Sequence, residues 1–298
     1  MGLPPRMKIC VAIATAGRRD VLTENVNFIA RQTRPPDEFF VCPANADDAD
    51  VVALSRIVPD LQIVSGAVGS SHQRNAMMRK SAADVIVFFD DDFMPALDFL
   101  AEIERIFSQN DDVVLVTGDV LADGAQGAGL DFPEGHRILD AAGFNDVAEG
   151  LRPIFNGYGC NMAARLSVVR EKAIVFDENL PLYAWLEDVD FSRQLAPYGR
   201  IVKSRRLRGV HLGTKLAGRT SGRRLGYSQI ANRVYLMNKG NIPLRGVLEG
   251  SVRNLFSNVV KSIYPEPWID RRGRLLGNIL ALRDLVRGRL DPANILKM

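Results

Sequence analysis

The sequence is poor in the residues that build disulfide frameworks and soft-metal centres. Its 298 residues include three cysteines, three histidines and two tryptophans. Cys10, Cys42 and Cys160 are scattered and form no CxxC pair, which excludes a disulfide scaffold, argues against thiolate metal binding and points to a reducing, cytoplasmic setting. No apolar run approaches the roughly 18 residues that a spanning helix needs. The run Ile9 to Thr15 is strand-sized, too short for a signal-peptide core and without a convincing cleavage site. With no recognised nucleic-acid motif and no aromatic platform, nucleic acid is not an expected partner.

What is present is an ordinary globular composition, 47% hydrophobic and 24% charged, long enough for one large domain or two smaller ones. The net charge of +3 conceals an asymmetry: residues 1–199 hold 17 Lys+Arg against 30 Asp+Glu, and residues 200–298 hold 21 against 5. An acidic body with a basic final third implies an anionic partner for the tail, such as phosphate groups or membrane headgroups.

The first half alternates strand and helix signals. KICVAIAT, FFVC, LQIVSG, VIVFF and VVLVTGDV read as strands. Between them lie a helix from Asp20, one over Val51 to Val58, one in SHQRNAMMRKSAA, and one in ALDFLAEIERIF that Pro95 is expected to open. Continuous apolar strands in strand–helix–strand units predict an α/β fold: a mostly parallel, Rossmann-like central sheet with helices on both faces. Ligands of such sheets gather outside the carboxyl ends of the strands. From Asp119 to Pro153 the chain is rich in Gly and Asp with weak periodicity, and is expected to be a surface excursion or an acceptor-covering loop. The remainder after about His211 is a Gly/Arg-rich loop followed by helices, a helical carboxy-terminal extension.

VIVFFDDDFMP sets three aspartates at the end of a buried strand. Adjacent carboxylates repel and raise one another's pKa, so the expected counter-charge is a bound divalent cation rather than a residue of the chain. Hard carboxylate oxygens suit Mg²⁺ or Mn²⁺. Alternation along the strand puts Asp90 and Asp92 on one side and Asp91 on another; a solvated, helix-capping turn is the bland alternative. LYAWLEDVDFSRQL gathers Glu187, Asp188 and Asp190 at a helix start, where backbone N–H groups stabilise carboxylates. There a capping cluster paired to Arg193 is the plain reading, and Trp185 is either core or a flat surface for a sugar ring. His211 in RLRGVHLG is either structural or a neutral imidazole completing a metal site.

Taken together, VAIATAGR, SSHQRNAMMRKSAADVIVFFDDDFMP, the GCNM segment, FDE, the ED pair and VHLG resemble the family 2 glycosyltransferases of the GT-A fold, over roughly Lys8 to His211. The resemblance implies a bacterial polysaccharide-type enzyme that moves a sugar from a UDP-, dTDP- or GDP-linked donor to a glycan or polyprenyl-diphosphate-linked acceptor. Its implied regions are a donor-binding half in residues 1–115, an acceptor-binding and catalytic half in 116–215, and a basic helical extension in 216–298. It implies donor contacts from Thr15, Asn45, Arg74, Asn75, Asp90 and Asp91, and Mn²⁺ or Mg²⁺ on Asp90, Asp92 and His211. It further implies acceptor contacts from Trp185 and Glu187, with Asp188 as the base of an inverting single displacement. Lys215, Arg219 and Arg223 would fold over the diphosphate. In one departure, VCPANADD has Cys42-Pro43 where the family usually carries a base-reading aspartate; Asn45 or backbone atoms are the expected substitutes.

Two other classes fit the sequence less well. A sugar-nucleotidyltransferase would open with a Gly-rich, Arg-containing loop that ATAGRRD lacks. A non-enzymatic binder of anionic lipid or nucleic acid through the basic tail leaves the acidic half unexplained. The tail segment PWIDRRGRLLGNILALRDLVRGRLDP is expected either to pack on the domain or to lie on the inner face of an anionic membrane, which would make the protein peripheral.

Overall fold

The computed structural model describes residues 6–143, 150–215 and 221–298. The chain runs β1 (Ile9–Thr15), α1 (Arg19–Ile29), β2 (Glu38–Pro43), α2 (Val51–Ile57), β3 (Gln62–Ile63), α3 (Ser70–Lys80) and β4 (Val85–Asp90). It continues through β5 (Phe93–Pro95), α4 (Phe99–Gln109), β6 (Val113–Asp123), α5 (Phe132–Ala142), β7 (Leu151–Pro153), β8 (Asn161–Arg165) and α6 (Leu166–Glu171). Last come α7 (Glu187–Leu195), β9 (Arg200–His211), α8 (Gly222–Asn238), α9 (Leu244–Lys261) and α10 (Arg271–Val286).

Successive side chains of a strand point to opposite sides, so a sheet covered on both faces needs strands apolar throughout. β1 and β4 follow this rule. Ile9, Val11, Ile13, Val85, Val87 and Phe89 enter one core, while Cys10, Ala12, Ile86 and Phe88 enter the other. The strand order is β3-β2-β1-β4-β8-β6-β9-β5, with β7 also on β9. The α/β class is as expected, and parallel pairing joins β3-β2-β1-β4 and β6-β9. Antiparallel pairing enters where β8 slots between β4 and β6 and where β5 and β7 flank β9.

Two local expectations are corrected. Pro95 does not open a helix: it closes β5 opposite Gly209, and α4 starts at Phe99. A proline is tolerated in a short edge strand. The described part of 119–153 is also more regular than its composition implied. β6 extends to Asp123, and α5 begins at Asp131, whose carboxylate accepts from the Glu134 N–H at 2.8 Å. Asp131-Phe132-Pro133-Glu134 is a helix-start signature that the Gly/Asp-rich context masked.

The chain separates into two compact units: Met1–Val68, His72–Phe176 and Phe191–Gly218 form the first, and Gly69–Ser71, Asp177–Asp190 and Arg219–Met298 the second. The sheet belongs to the first. In the second, α8 and α10 approach closely where they carry glycine: a Cβ on Gly226 would strike the Arg274 carbonyl, and one on Gly277 the Arg223 carbonyl. An amide cluster ties the three long helices together. Asn258 donates to Gln229 and Asn278 at 3.0 and 2.8 Å, and Asn278 donates to the Gly226 carbonyl at 2.7 Å. Among the described residues, no helix is long and apolar enough to cross a membrane.

Candidate active site and metal centre

β4 ends at the same edge of the sheet as β1, with Asp90 in register with Ala14. Directly after the aspartates, β5 pairs with the end of β9, which sets Phe93 opposite His211. The Leu212 N–H donates to the Asp92 carbonyl at 3.0 Å. On the other side of β9, β6 brings Asp123 opposite His211. Three segments remote in sequence therefore meet at one imidazole.

His211 Nε2 lies 3.3 Å from Asp92 Oδ1 and 3.7 Å from Asp90 Oδ2, and Nδ1 lies 3.0 Å from Asp123 Oδ1. One ligand atom from each of Asp90, Asp92 and His211 falls within 4.8 Å of the others. Asp92 Oδ1 is buried and has no hydrogen-bond partner; its approach to Nε2 is electrostatic and lacks hydrogen-bond geometry. Two carboxylates and an imidazole, with a buried oxygen left unsatisfied between them, form a donor set that fits a hard divalent cation. Asp123 stands behind the imidazole as carboxylates do behind metal-bound histidines. The Tyr158 hydroxyl donates to its other oxygen at 3.0 Å. Asp123 carries no signal of its own in the sequence, where it falls in the Gly/Asp-rich stretch from Asp119 to Pro153.

The charges around this cluster explain how it folds. The sequence offered no counter-charge near the triplet, but the chain supplies two arginines from elsewhere. Arg18 Nη1 lies 3.2 Å from Asp91 and 2.8 Å from Asp92, and Arg74 Nη2 lies 3.2 Å from Asp90. The Thr15 hydroxyl donates to Asp91 at 2.7 Å, and the Thr214 N–H donates to Asp92 at 2.8 Å. Burial pushes the Asp91 carboxyl up to about 7, against the pull of Arg18. Burial would raise Asp92 too, but His211, Arg18 and the Thr214 N–H together hold it well below the ordinary carboxylate range. Burial would lower His211, yet Asp123 and Asp92 lift it to about 10. Asp123, similarly opposed by burial, is held at about 2 by His211.

The other expected donor contacts occupy varied positions. Arg74 is buried, and besides Asp90 its guanidinium binds the Gly159 carbonyl at 3.0 Å and lies 5.3 Å from the Phe176 ring. The Asn75 amide brackets the Phe176 backbone, donating to its carbonyl at 2.8 Å and accepting from its N–H at 2.9 Å. Asn45 is exposed and starts a short turn closed by Asp48, which accepts from the Asn45 N–H at 2.9 Å and from the Gly17 N–H at 2.8 Å. Asp48 thus links the ends of β1 and β2 beyond the point where Cys42-Pro43 departs from the family pattern. The Lys215 ammonium binds the Gly124 and Ala125 carbonyls, each at 3.0 Å. Arg219 lies outside the described residues. Arg223 sits in the first turn of α8 rather than in a loop, because Ser221 caps that helix by accepting from the Arg224 N–H.

In the second unit, the approach to Asp188 is strained. Leu182, Ala184 and Leu186 have φ of 59°, 51° and 76°. Left-handed backbone costs a non-glycine residue about 1–2 kcal/mol and gathers at functional sites. No glycine marks the segment, so nothing in its residue types announces the strain. The run is held by the Ser70 N–H on the Leu182 carbonyl and by Asn232 on the Trp185 carbonyl, both at 2.8 Å. The Arg233 guanidinium lies 4.6 Å from the Trp185 ring, covering one face of that half-buried indole. The strained run delivers Glu187, Asp188 and Asp190 into the first turn of α7. Glu187 is buried. Asp188 is half-buried and accepts from the Val189 N–H at 2.8 Å. Asp190 is fully buried between Lys239 and Asn241, at 2.7 and 2.6 Å. The pairing expected between this cluster and Arg193 is replaced by the Lys239 contact, and Arg193 instead lies 4.5 Å from the Phe155 ring.

Residues 4–144 match the family profile described as "Glycosyltransferase like family 2". The glucosyl-dolichyl phosphate glucuronosyltransferase of Haloferax volcanii is 27% identical over 179 residues, and the match covers 55% of this chain and only 55% of that relative's length. The structure of S. aureus TarS 1-349 with UDP-GlcNAc superposes with a TM-score of 0.59 at 16% identity, covering 97% of this chain and 83% of that one. The mannosyltransferase PcManGT of Pyrobaculum calidifontis, in complex with GDP-Man and Mn²⁺, gives 0.58 at 17%, covering 98% and 85%. With its sheet, its acidic strand end and these likenesses, the chain has the GT-A fold, and its first half is similar to glycosyltransferase family 2.

Proposed function

We propose that the protein transfers a sugar from a nucleotide-diphosphate donor to a hydroxyl of a glycan or lipid-linked acceptor, by single displacement with inversion. The observation that carries this reading is the unsatisfied, buried Asp92 Oδ1 facing Asp90 and His211. The nucleotide-sugar complexes of TarS and PcManGT support a donor of the same class, and the Mn²⁺ named with PcManGT supports a divalent ion on that donor set. The dolichyl-phosphate substrate in the name of the Haloferax relative supports a lipid-linked acceptor.

In this reading Asp90, Asp92 and His211 hold Mn²⁺ or Mg²⁺, which when bound neutralises the charge of the departing diphosphate. Thr15 and Arg18 fix Asp91, and Arg74 fixes Asp90 toward the donor's ribose and phosphates. Asn75 acts one step back by holding the backbone beneath Arg74, and Asn45 lies beside the end of β2 where a base would rest. Lys215, Arg219 and Arg223 contribute positive charge for the diphosphate. Trp185 and Glu187 border the acceptor, and Asp188 removes the proton of its attacking hydroxyl. A single carboxylate base without a second nucleophile gives inversion.

The test is direct. Treatment with EDTA should stop sugar transfer from a panel of UDP-, dTDP- and GDP-sugars, and Mn²⁺ should restore it. Asp188→Asn should lower turnover by about 10²–10⁴-fold with donor binding kept. Full activity in metal-free buffer, near-normal turnover of Asp188→Asn, or a retained anomer by NMR would each refute the corresponding part.

A further inference from the structure

The outward side of α9 is apolar, where an ordinary surface helix is polar. Leu248, Val252, Phe256, Val259 and Ile263 recur at intervals of three or four residues, and all are exposed, Phe256 at 68% and Ile263 at 67%. The inward side carries Val247, Gly250 and Asn258, and its hydrogen bonds run to α8 and α10. The usual arrangement of an amphipathic helix is thus inverted: amides face in and hydrocarbon faces out. The stripe continues into the connector between α9 and α10, where Tyr264 is 89% and Trp268 41% exposed.

Charge identifies what covers this side. Arg253 and Lys261 are exposed on α9, and Arg272 is exposed in the first turn of α10. Of the acids here, Glu249 pairs with Arg245 at 2.6 Å, Glu266 pairs with Lys261 and Arg271 at 2.6 and 2.8 Å, and Asp270 caps α10 by accepting from the Gly273 N–H at 2.7 Å. A second copy would set this basic surface against itself across a two-fold axis, because an isologous interface repeats each patch. A bilayer containing anionic lipids offers the opposite charge, a headgroup zone that favours Tyr and Trp, and an acyl boundary for the aliphatic stripe.

We propose that the outer side of α9, with the Ser262–Asp270 connector, is a docking surface for an anionic membrane and lies in the headgroup plane as an interfacial helix. The basic tail pointed to α10, which also exposes Leu276, Ile279, Leu282 and Val286; α9 is assigned the role because its stripe runs on into the exposed aromatics Tyr264 and Trp268. The inference does not depend on sugar transfer, since its readout is lipid binding alone.

The full chain should sediment with vesicles of mixed phosphatidylcholine and phosphatidylglycerol, and about fivefold or more weakly with phosphatidylcholine alone. Phe256→Ser combined with Ile263→Ser should lower partitioning by about tenfold or more, with an unchanged melting temperature because both side chains are exposed. Arg253→Glu with Arg272→Glu should remove the preference for phosphatidylglycerol. Equal sedimentation of the serine variant and the parent would overturn the proposal. So would a parent that binds no vesicles and is a dimer by sedimentation equilibrium, with the serine variant monomeric; α9 would then be an interface between copies.

Discussion

Asp123 and His211 face one another across the β6–β9 ladder, carboxylate to Nδ1 at 3.0 Å. That contact decides which ring nitrogen remains for chemistry. With Nδ1–H donating to Asp123, Nε2 is presented to Asp92 and Asp90. Asp123→Ala should therefore weaken Mn²⁺ binding by about 10–100-fold. Asp123→Asn should lose less, because its amide oxygen still accepts from Nδ1–H. Calorimetric titration of both variants checks the order; equal affinity in Asp123→Ala would remove Asp123 from the metal site.

Arg18 supplies positive charge to Asp91 and Asp92 from within the chain. Arg18→Gln should leave buried carboxylates under-compensated and destabilise the metal-free protein by about 3–5 kcal/mol. The more negative site should then gain more from a cation, so the rise in Tm on adding Mn²⁺ should exceed that of the parent. Thermal melts with and without Mn²⁺ read both effects; an unchanged Mn²⁺ increment would show that Arg18 does not bear on the cation.

The residues that make these two predictions were not equally legible in the sequence. Asp90, Asp92 and His211 are legible because a buried apolar run ending in aspartates, and a histidine after a strand, are local patterns. Asp123 and Arg18 are not legible there, because their meaning arises from pairing between β6 and β9 and from the turn after β1. The strands of β1, β2 and β4 were readable for the same local reason. The antiparallel insertion of β8 and the pairing of β5 with β9 depend on contacts dozens of residues away, which periodicity does not encode. The helix α5 was readable in principle from its capping residues.

Ala184 lies at φ 51° in the strained run before Asp188. Glycine adopts that conformation without penalty, so Ala184→Gly should cost less than a buried truncation normally does, within about 1 kcal/mol of neutral. A freer approach should position Asp188 less well and lower kcat more than KM. Urea denaturation and steady-state kinetics together check the split; a loss of several kcal/mol with kcat intact would mean that the strain serves packing alone.

Lys239 joins Asp177 and the fully buried Asp190. Burial opposes the charge of both Asp177 and Lys239, but their pairing holds the Asp177 pKa below its ordinary value and the Lys239 pKa above its own. A depressed carboxylate stabilises the fold above its unfolded pKa, and that share is lost as pH falls through the lowered folded value. A raised ammonium stabilises below its unfolded pKa, and its share is lost as pH rises through the raised folded value. Lys239→Met should therefore cost about 3 kcal/mol near neutrality, with the difference from the parent shrinking toward acid pH. Urea midpoints across the acid range test this; a constant difference would exclude the pairing as its source.

The Asn258–Gln229–Asn278 cluster has a consequence for how this protein can diverge. Directional bonds from Asn258 seat α9 on α8 and α10, so the solvent-side residues of α9 are released from holding the bundle together. Substitutions there can retune which surface the protein visits, lineage by lineage, while the scaffold beneath keeps its register.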